Sequence, residues 1–76
     1  MASRNPRDEK VIVRFGANVR KYRLLRGYTM VKLAVLCDVE YGTISTVERG
    51  IVNCSISTAY RLSKALEVSV EQLYND

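Results

Sequence analysis

The 76-residue chain has no histidine, one proline, four glycines and only two cysteines. Without histidine it lacks the side chain most often used for proton transfer near neutral pH and for metal binding. Two thiols cannot complete a four-ligand zinc site alone, and Cys37 and Cys54 show no C-x-x-C spacing. They are expected to be small buried hydrophobes rather than a disulfide or redox pair. Neither a glycine-rich phosphate loop nor an activated-nucleophile arrangement is present. An enzyme is therefore not expected, and no metal or other cofactor is called for. Apolar runs fall far short of a bilayer span, and MASRNPRDEK carries no apolar segment after its basic residues. A cytoplasmic protein with no membrane partner is the expectation.

What is present fits one small globular domain: 47% of residues are hydrophobic and 26% charged. The net charge of +4 is unevenly spread. Residues 1–32 hold nine Lys or Arg against two acids, and residues 33–76 hold three against six. A basic half suggests a polyanionic partner, although solvated basic helix faces are common.

Helical spacing dominates the chain. Asn5-Pro6-Arg7-Asp8 resembles a helix start, with Asn as N-cap and Pro at the first helical position. Val11, Ile12, Phe15, Val19 and Tyr22 then mark one apolar face, and the helix should stop near Arg26 before Gly27. Thr29 can cap a second helix whose Met30, Leu33, Ala34 and Cys37 form a stripe over two turns. After an apolar connector, Ser55 can cap a helix with Ile56, Ala59, Leu62, Ser63 and Leu66 on one face. Ser69-Val70-Glu71-Gln72 has capping-box form and opens a last short helix, with Val70 and Leu73 inward. Residues 1–10 read as a partly helical N-terminal extension and 11–76 as the domain.

The segment between the second and fourth helices is ambiguous. VEYGTISTVERG is rich in β-branched residues and contains a glycine, as an edge strand might. Yet Ile44 and Val47 sit at helical spacing, whereas strict alternation would bury Thr43 and Ser45 with Val47. Gly50 fits the position after a helix end. A third helix follows from this, joined to the second through a turn at Asp38 and Val39. Two short helices so joined in a small basic all-helical chain suggest a helix-turn-helix.

YTMVKLAVLCDVEYGTISTVERG resembles the helix-turn-helix of the phage repressor and Cro class, the Xre-like family. The resemblance covers about residues 15–74, through FGANVRKYRLLRGY and SISTAYRLSKALEVSVEQL. Its specific parts are Arg23, Leu33-Ala34, Ile44-Ser45, Glu48-Arg49-Gly50 and the Leu66…Leu73 tail. It implies an all-α, compact five-helix, lambda-repressor-like domain that binds double-stranded DNA and regulates transcription. It further implies a buried or half-buried ion pair between Arg23 and Glu48; two solvated surface charges are the plain alternative. By the same resemblance Tyr41, Gly42, Thr43 and Thr46 face base edges, though Tyr41 could instead pack on the second helix. Phosphates would meet the amides near Met30 and Ser55 and the side chains of Lys32, Arg49 and Asn53. Arg20, Lys21 and Arg26 would supply background field, and the basic segment Arg4 to Lys10 either a DNA arm or a frayed extension.

The chain also departs from the family pattern. Met30 stands where Gln is common, Asp38 where Gly is usual, and Glu40 where small hydroxyl residues are common. Ile51 and Val52 replace a polar loop. One module reads few base pairs, so a homodimer on a palindromic operator is expected. Ile51, Val52, Val70, Leu73 and Tyr74 are its candidate interface, with Tyr74 equally able to close the core. A phage repressor, a restriction-modification controller and an autorepressing antitoxin all fit, with no small-molecule effector expected. The competing reading is a protein-interaction module that kept the fold and lost strong DNA binding.

Overall fold

A computed structural model describes residues 7–75. Their order is α1 (Glu9–Leu25), α2 (Met30–Cys37), α3 (Tyr41–Glu48), α4 (Ile56–Leu66) and α5 (Val70–Tyr74), with no strand among them. The VEYGTISTVERG segment is thus a helix. Its β-branched residues are tolerated because Ile44 and Val47 are fully buried, and tertiary packing outweighs weak helix propensity. No helix among the described residues is long and apolar enough to cross a membrane.

Short polar side chains start four of the five helices. Asp8 accepts from the Val11 amide and caps α1, so the helix begins later than Asn5-Pro6 suggested; those two residues lie outside the described ones. Thr29 accepts from Lys32, Ser55 from Thr58, and Ser69 and Gln72 exchange the two bonds of a capping box. Glu40 precedes α3 but makes no side-chain capping bond. It could have served as a cap and does not.

Four helices stop by one device: a left-handed residue whose amide, with the next, closes onto the last turn. Gly27 and Gly50 occupy that position after α1 and α3. After α2 and α4 the left-handed residues are Asp38 (φ 57°) and Glu67 (φ 60°). Behind Asp38, Val39 donates to the Ala34 carbonyl at 3.0 Å and packs against the core. A side chain in this conformation costs about 1 kcal/mol relative to glycine, which explains why glycine is usual at such a turn.

One core unites the helices. Phe15 and Val19 of α1 meet Leu33, Ala34 and Cys37 of α2, Ile44 and Val47 of α3, Ala59, Leu62 and Leu66 of α4, and Leu73 of α5. α1 packs against α3, α4 and α5, and α2 packs against α3 and α4. Both cysteines are free; burial pushes the Cys37 thiol up to about 11 and raises that of Cys54. Two apolar assignments fail. Ile56, expected on the buried face of α4, is 89% exposed, because it is the first residue of the helix and precedes the turn that meets the core. Leu73, a candidate for the dimer interface, is 0% exposed and belongs to the core.

Long-range polar contacts tie the ends together. Buried Asn18 donates from Nδ2 to the carbonyls of Leu73 (2.8 Å) and Asn75 (2.6 Å), holding the end of α5 against α1. Arg26 donates to the Leu66 carbonyl at 2.9 Å, so this cation serves the end of α4 rather than a diffuse field.

Candidate nucleic-acid interface

The position of α3 depends on its inner side. Gly16 of α1 lies directly beneath the C-terminal turn of α3: a Cβ there would sit 2.1 Å from the Val47 carbonyl oxygen and 3.2 Å from that of Glu48. The two backbones can approach only because no side chain intervenes. Sequence reading passed over Gly16, since a helical glycine ordinarily signals only lost propensity.

Two turns further along α1, Arg23 and Glu48 form a two-pronged pair. Arg23 Nε donates to Glu48 Oε2 at 2.6 Å, and Nη2 donates to Oε1 at 3.0 Å. The side chains are 10% and 5% exposed. A third guanidinium donor, Nη1, reaches the Tyr28 carbonyl at 2.9 Å in the loop before α2. The hydrogen bond to Glu48 raises the pKa of Arg23, outweighing the opposing effect of burial, so the guanidinium stays charged. It joins α1, the approach to α2 and the end of α3 at one point.

With Ile44, Val47 and the Glu48 carboxylate held inside, the remaining residues of α3, and Arg49 just after it, face outward. Tyr41, Gly42 and Arg49 are exposed, and Thr43, Ser45 and Thr46 are half-exposed. The two threonines differ in one respect. Thr46 Oγ1 lies 2.9 Å from the Gly42 carbonyl and 3.2 Å from that of Thr43, so its single proton is engaged within its own helix. It offers outward a methyl group and lone pairs. Thr43 has no such bond, and its hydroxyl can donate as well as accept.

The flanking elements carry the other candidates. Lys32, Asn53 and Ser55 are exposed. At the start of α2 the Thr29 cap leaves the amides of Met30 and Val31 without an internal acceptor; at α4 the Ser55 cap does the same for Ile56 and Ser57. Met30 itself is half-buried and packed against the core, trading a polar side-chain contact for packing. A cleft of about 270 Å³ brings Arg20 and Arg49 together with Met30, Ser45 and the Arg23–Glu48 pair. Arg20, expected to contribute only background field, is thus a neighbour of the outer end of α3. Its position one helical turn before Arg23 was the available signal.

The apolar edge lies apart from this cleft. Ile51 and Val52 are exposed, Val70 is half-buried, and Tyr74 is 38% exposed with its ring 4.8 Å from that of Phe15. Tyr74 therefore both packs inward and reaches the surface. Arg7 donates to the Ile51 carbonyl at 2.9 Å and pairs with Glu9, which folds this part of the basic N-terminal segment onto the loop after α3.

The helix-turn-helix family model HTH_3 matches residues 19–73. Control protein C.BamHI of Bacillus amyloliquefaciens is 40% identical over 60 residues, spanning 78% of this chain and 74% of that protein. Among solved structures, the restriction-modification controller C.AhdI from Aeromonas hydrophila superposes with a TM-score of 0.80 at 30% identity. It covers 83% of this chain and 96% of that one. SinR, a master regulator of biofilm formation solved in complex with DNA, gives a TM-score of 0.77 at 32% identity over 80% of this chain and 98% of that one. The chain belongs to the HTH_3 helix-turn-helix family, a family of DNA-binding transcriptional regulators and not of enzymes.

Proposed function

We propose that this regulator is a cytoplasmic operon controller, of the kind that accompanies restriction-modification genes, acting as a homodimer on a palindromic operator and controlling its own expression. The observation that carries the reading is the outward face of α3, rigidly seated yet lined with small hydroxyl, methyl and backbone groups suited to a major groove. The similarity to C.BamHI and C.AhdI favours a controller over a phage repressor or an antitoxin.

In this reading Thr43 and Thr46 read base edges, Gly42 permits close backbone approach, and Tyr41 reaches a base edge or phosphate from the leading end. Phosphates are held by the amides at Met30 and Ile56, with Ser55, Lys32, Arg49 and Asn53 beside them. Ile51, Val52, Val70 and Tyr74 form the apolar surface between two protomers; Leu73 supports it from inside the core.

Selection of bound sequences from a random duplex pool tests both halves of the proposal. A two-fold symmetric consensus is expected, with affinity falling steeply as salt rises. Sedimentation should show a dimer that Ile51→Asp weakens. A selected site without symmetry, bound by a strict monomer, would overturn the dimeric controller while leaving DNA binding intact.

A further inference from the structure

A second concave surface lies between α2 and α4. A cleft of about 470 Å³ has a floor of Tyr28, Leu36, Tyr60 and Ala65, and Arg61 and Lys64 form its rim. Leu36 is 44% and Tyr60 57% exposed, so large apolar groups are left facing solvent. The cleft contains none of the residues assigned to bases, phosphates or the dimer edge.

Its charge is not neutralised internally. Lys64 stands 5.7 Å from the centre of the Tyr60 ring, and Arg61 makes one long contact, 3.4 Å, to the Asp38 carbonyl. Neither pairs with a carboxylate among the described residues. Glu67 closes one end, but it faces Arg26 at 3.7 Å rather than the two rim cations. The surface therefore combines an apolar trough with unbalanced positive charge.

We propose that this cleft docks an amphipathic helix of a partner protein, with a Leu- or Phe-type stripe on the floor and Asp or Glu side chains against Arg61 and Lys64. A groove between two packed helices accepts a third through side chains at i, i+3, i+4 and i+7. Charge complementarity selects an acidic flank, and the apolar floor disfavours a nucleic-acid backbone, whose phosphates Leu36 and Ala65 cannot satisfy. Because the cleft and the outer face of α3 share no residue, the regulator can hold DNA and the partner together.

The probe is a fluorescein-labelled helical peptide of roughly 16 residues, with a Leu stripe and a Glu flank, compared with a version carrying Lys in place of Glu. The Glu peptide should bind at low salt and shift amide resonances near Leu36, Tyr60 and Lys64, and the Lys peptide should bind about tenfold more weakly. Tyr60→Ser should reduce Glu-peptide binding about tenfold. An Arg61→Glu, Lys64→Glu double variant should reverse the peptide preference; its thermal melt reports that it is folded. Equal binding of the two peptides, shifts confined to Ile51 and Val52, or no binding of the Glu peptide would each overturn the proposal. So would self-association of the chain that buries Tyr60. Loss of operator binding in the double variant with peptide preference unchanged would assign the basic rim to DNA instead.

Discussion

The two sides of α3 carry opposite kinds of information. The inner side is specified at every position: Ile44 and Val47 are sealed in the core, Glu48 is held by two hydrogen bonds, and the Val47 carbonyl rests against a glycine. The outer side chains make no hydrogen bond to another helix among the described residues, and of the two threonines only Thr46 is engaged, by its own helix. A reading head needs both properties. The seat must be rigid so that base contacts are made at a fixed height and angle, and the contacting groups must be free so that DNA, not the protein, satisfies them.

The contrast predicts that substitutions on the inner side act on stability and those on the outer side on DNA choice. Gly16→Ala should have the largest effect. The added Cβ meets a backbone oxygen, which cannot rotate away as a flexible side chain would, so α1 and α3 must separate. A loss of about 5 kcal/mol is expected, comparable to the whole stability of a domain this small. Thermal denaturation followed by circular dichroism should show no cooperative transition. A variant melting within a few degrees of the parent would mean that the seam can widen and that α3 is less firmly placed than its inner contacts imply.

The Arg23–Glu48 pair comes next. Arg23→Met leaves Glu48 buried without its partner and also strips a donor from the Tyr28 carbonyl; the expected loss is about 3–4 kcal/mol, with Glu48→Leu similar. The double variant should be much less destabilised than the sum, because neither charge remains to be desolvated alone. Urea denaturation of the four proteins measures the coupling. Small, additive losses would mark the pair as a surface feature and remove one of the fasteners from the inner side.

These same positions show what local pattern can and cannot reveal. The apolar repeats identified the core residues of α1, α2 and α3, and the Ser and Thr caps at 29, 55 and 69 were readable because capping is chemistry between residues three apart. Gly16, Asn18 and Arg26 were not readable as functional parts of the fold. Each answers to a backbone carbonyl 30 or more residues away, a relation that no periodicity records. Ile56 failed for a related reason: an apolar residue at a helix end can lie on either side of the packed turn, and spacing alone does not decide which, whereas spacing did place Leu73 inward and only its use as an interface residue was wrong. The start of α1 moved because Asp8 offered a cap closer to the first packed residues than Asn5.

The outer side provides the finest test, with small effects on stability and distinct ones on specificity. Thr43→Val and Thr46→Val both keep a β-branched side chain and a methyl group, and each should change folding stability by less than about 0.5 kcal/mol. Their consequences at DNA should differ. Thr43 has a hydroxyl proton to give, whereas the proton of Thr46 already serves the carbonyls of Gly42 and Thr43. Thr43→Val should therefore lose discrimination of about 1–2 kcal/mol at one base position, measured by competition among single-base operator variants. Thr46→Val should retain most of its preference, because its remaining outward contribution is largely a methyl group that valine also presents. Thr46→Ala, which removes that methyl, should then cost more selectivity than Thr46→Val. The reverse order would show that the helix releases the Thr46 hydroxyl on binding, and that the outer side rearranges where the inner side does not.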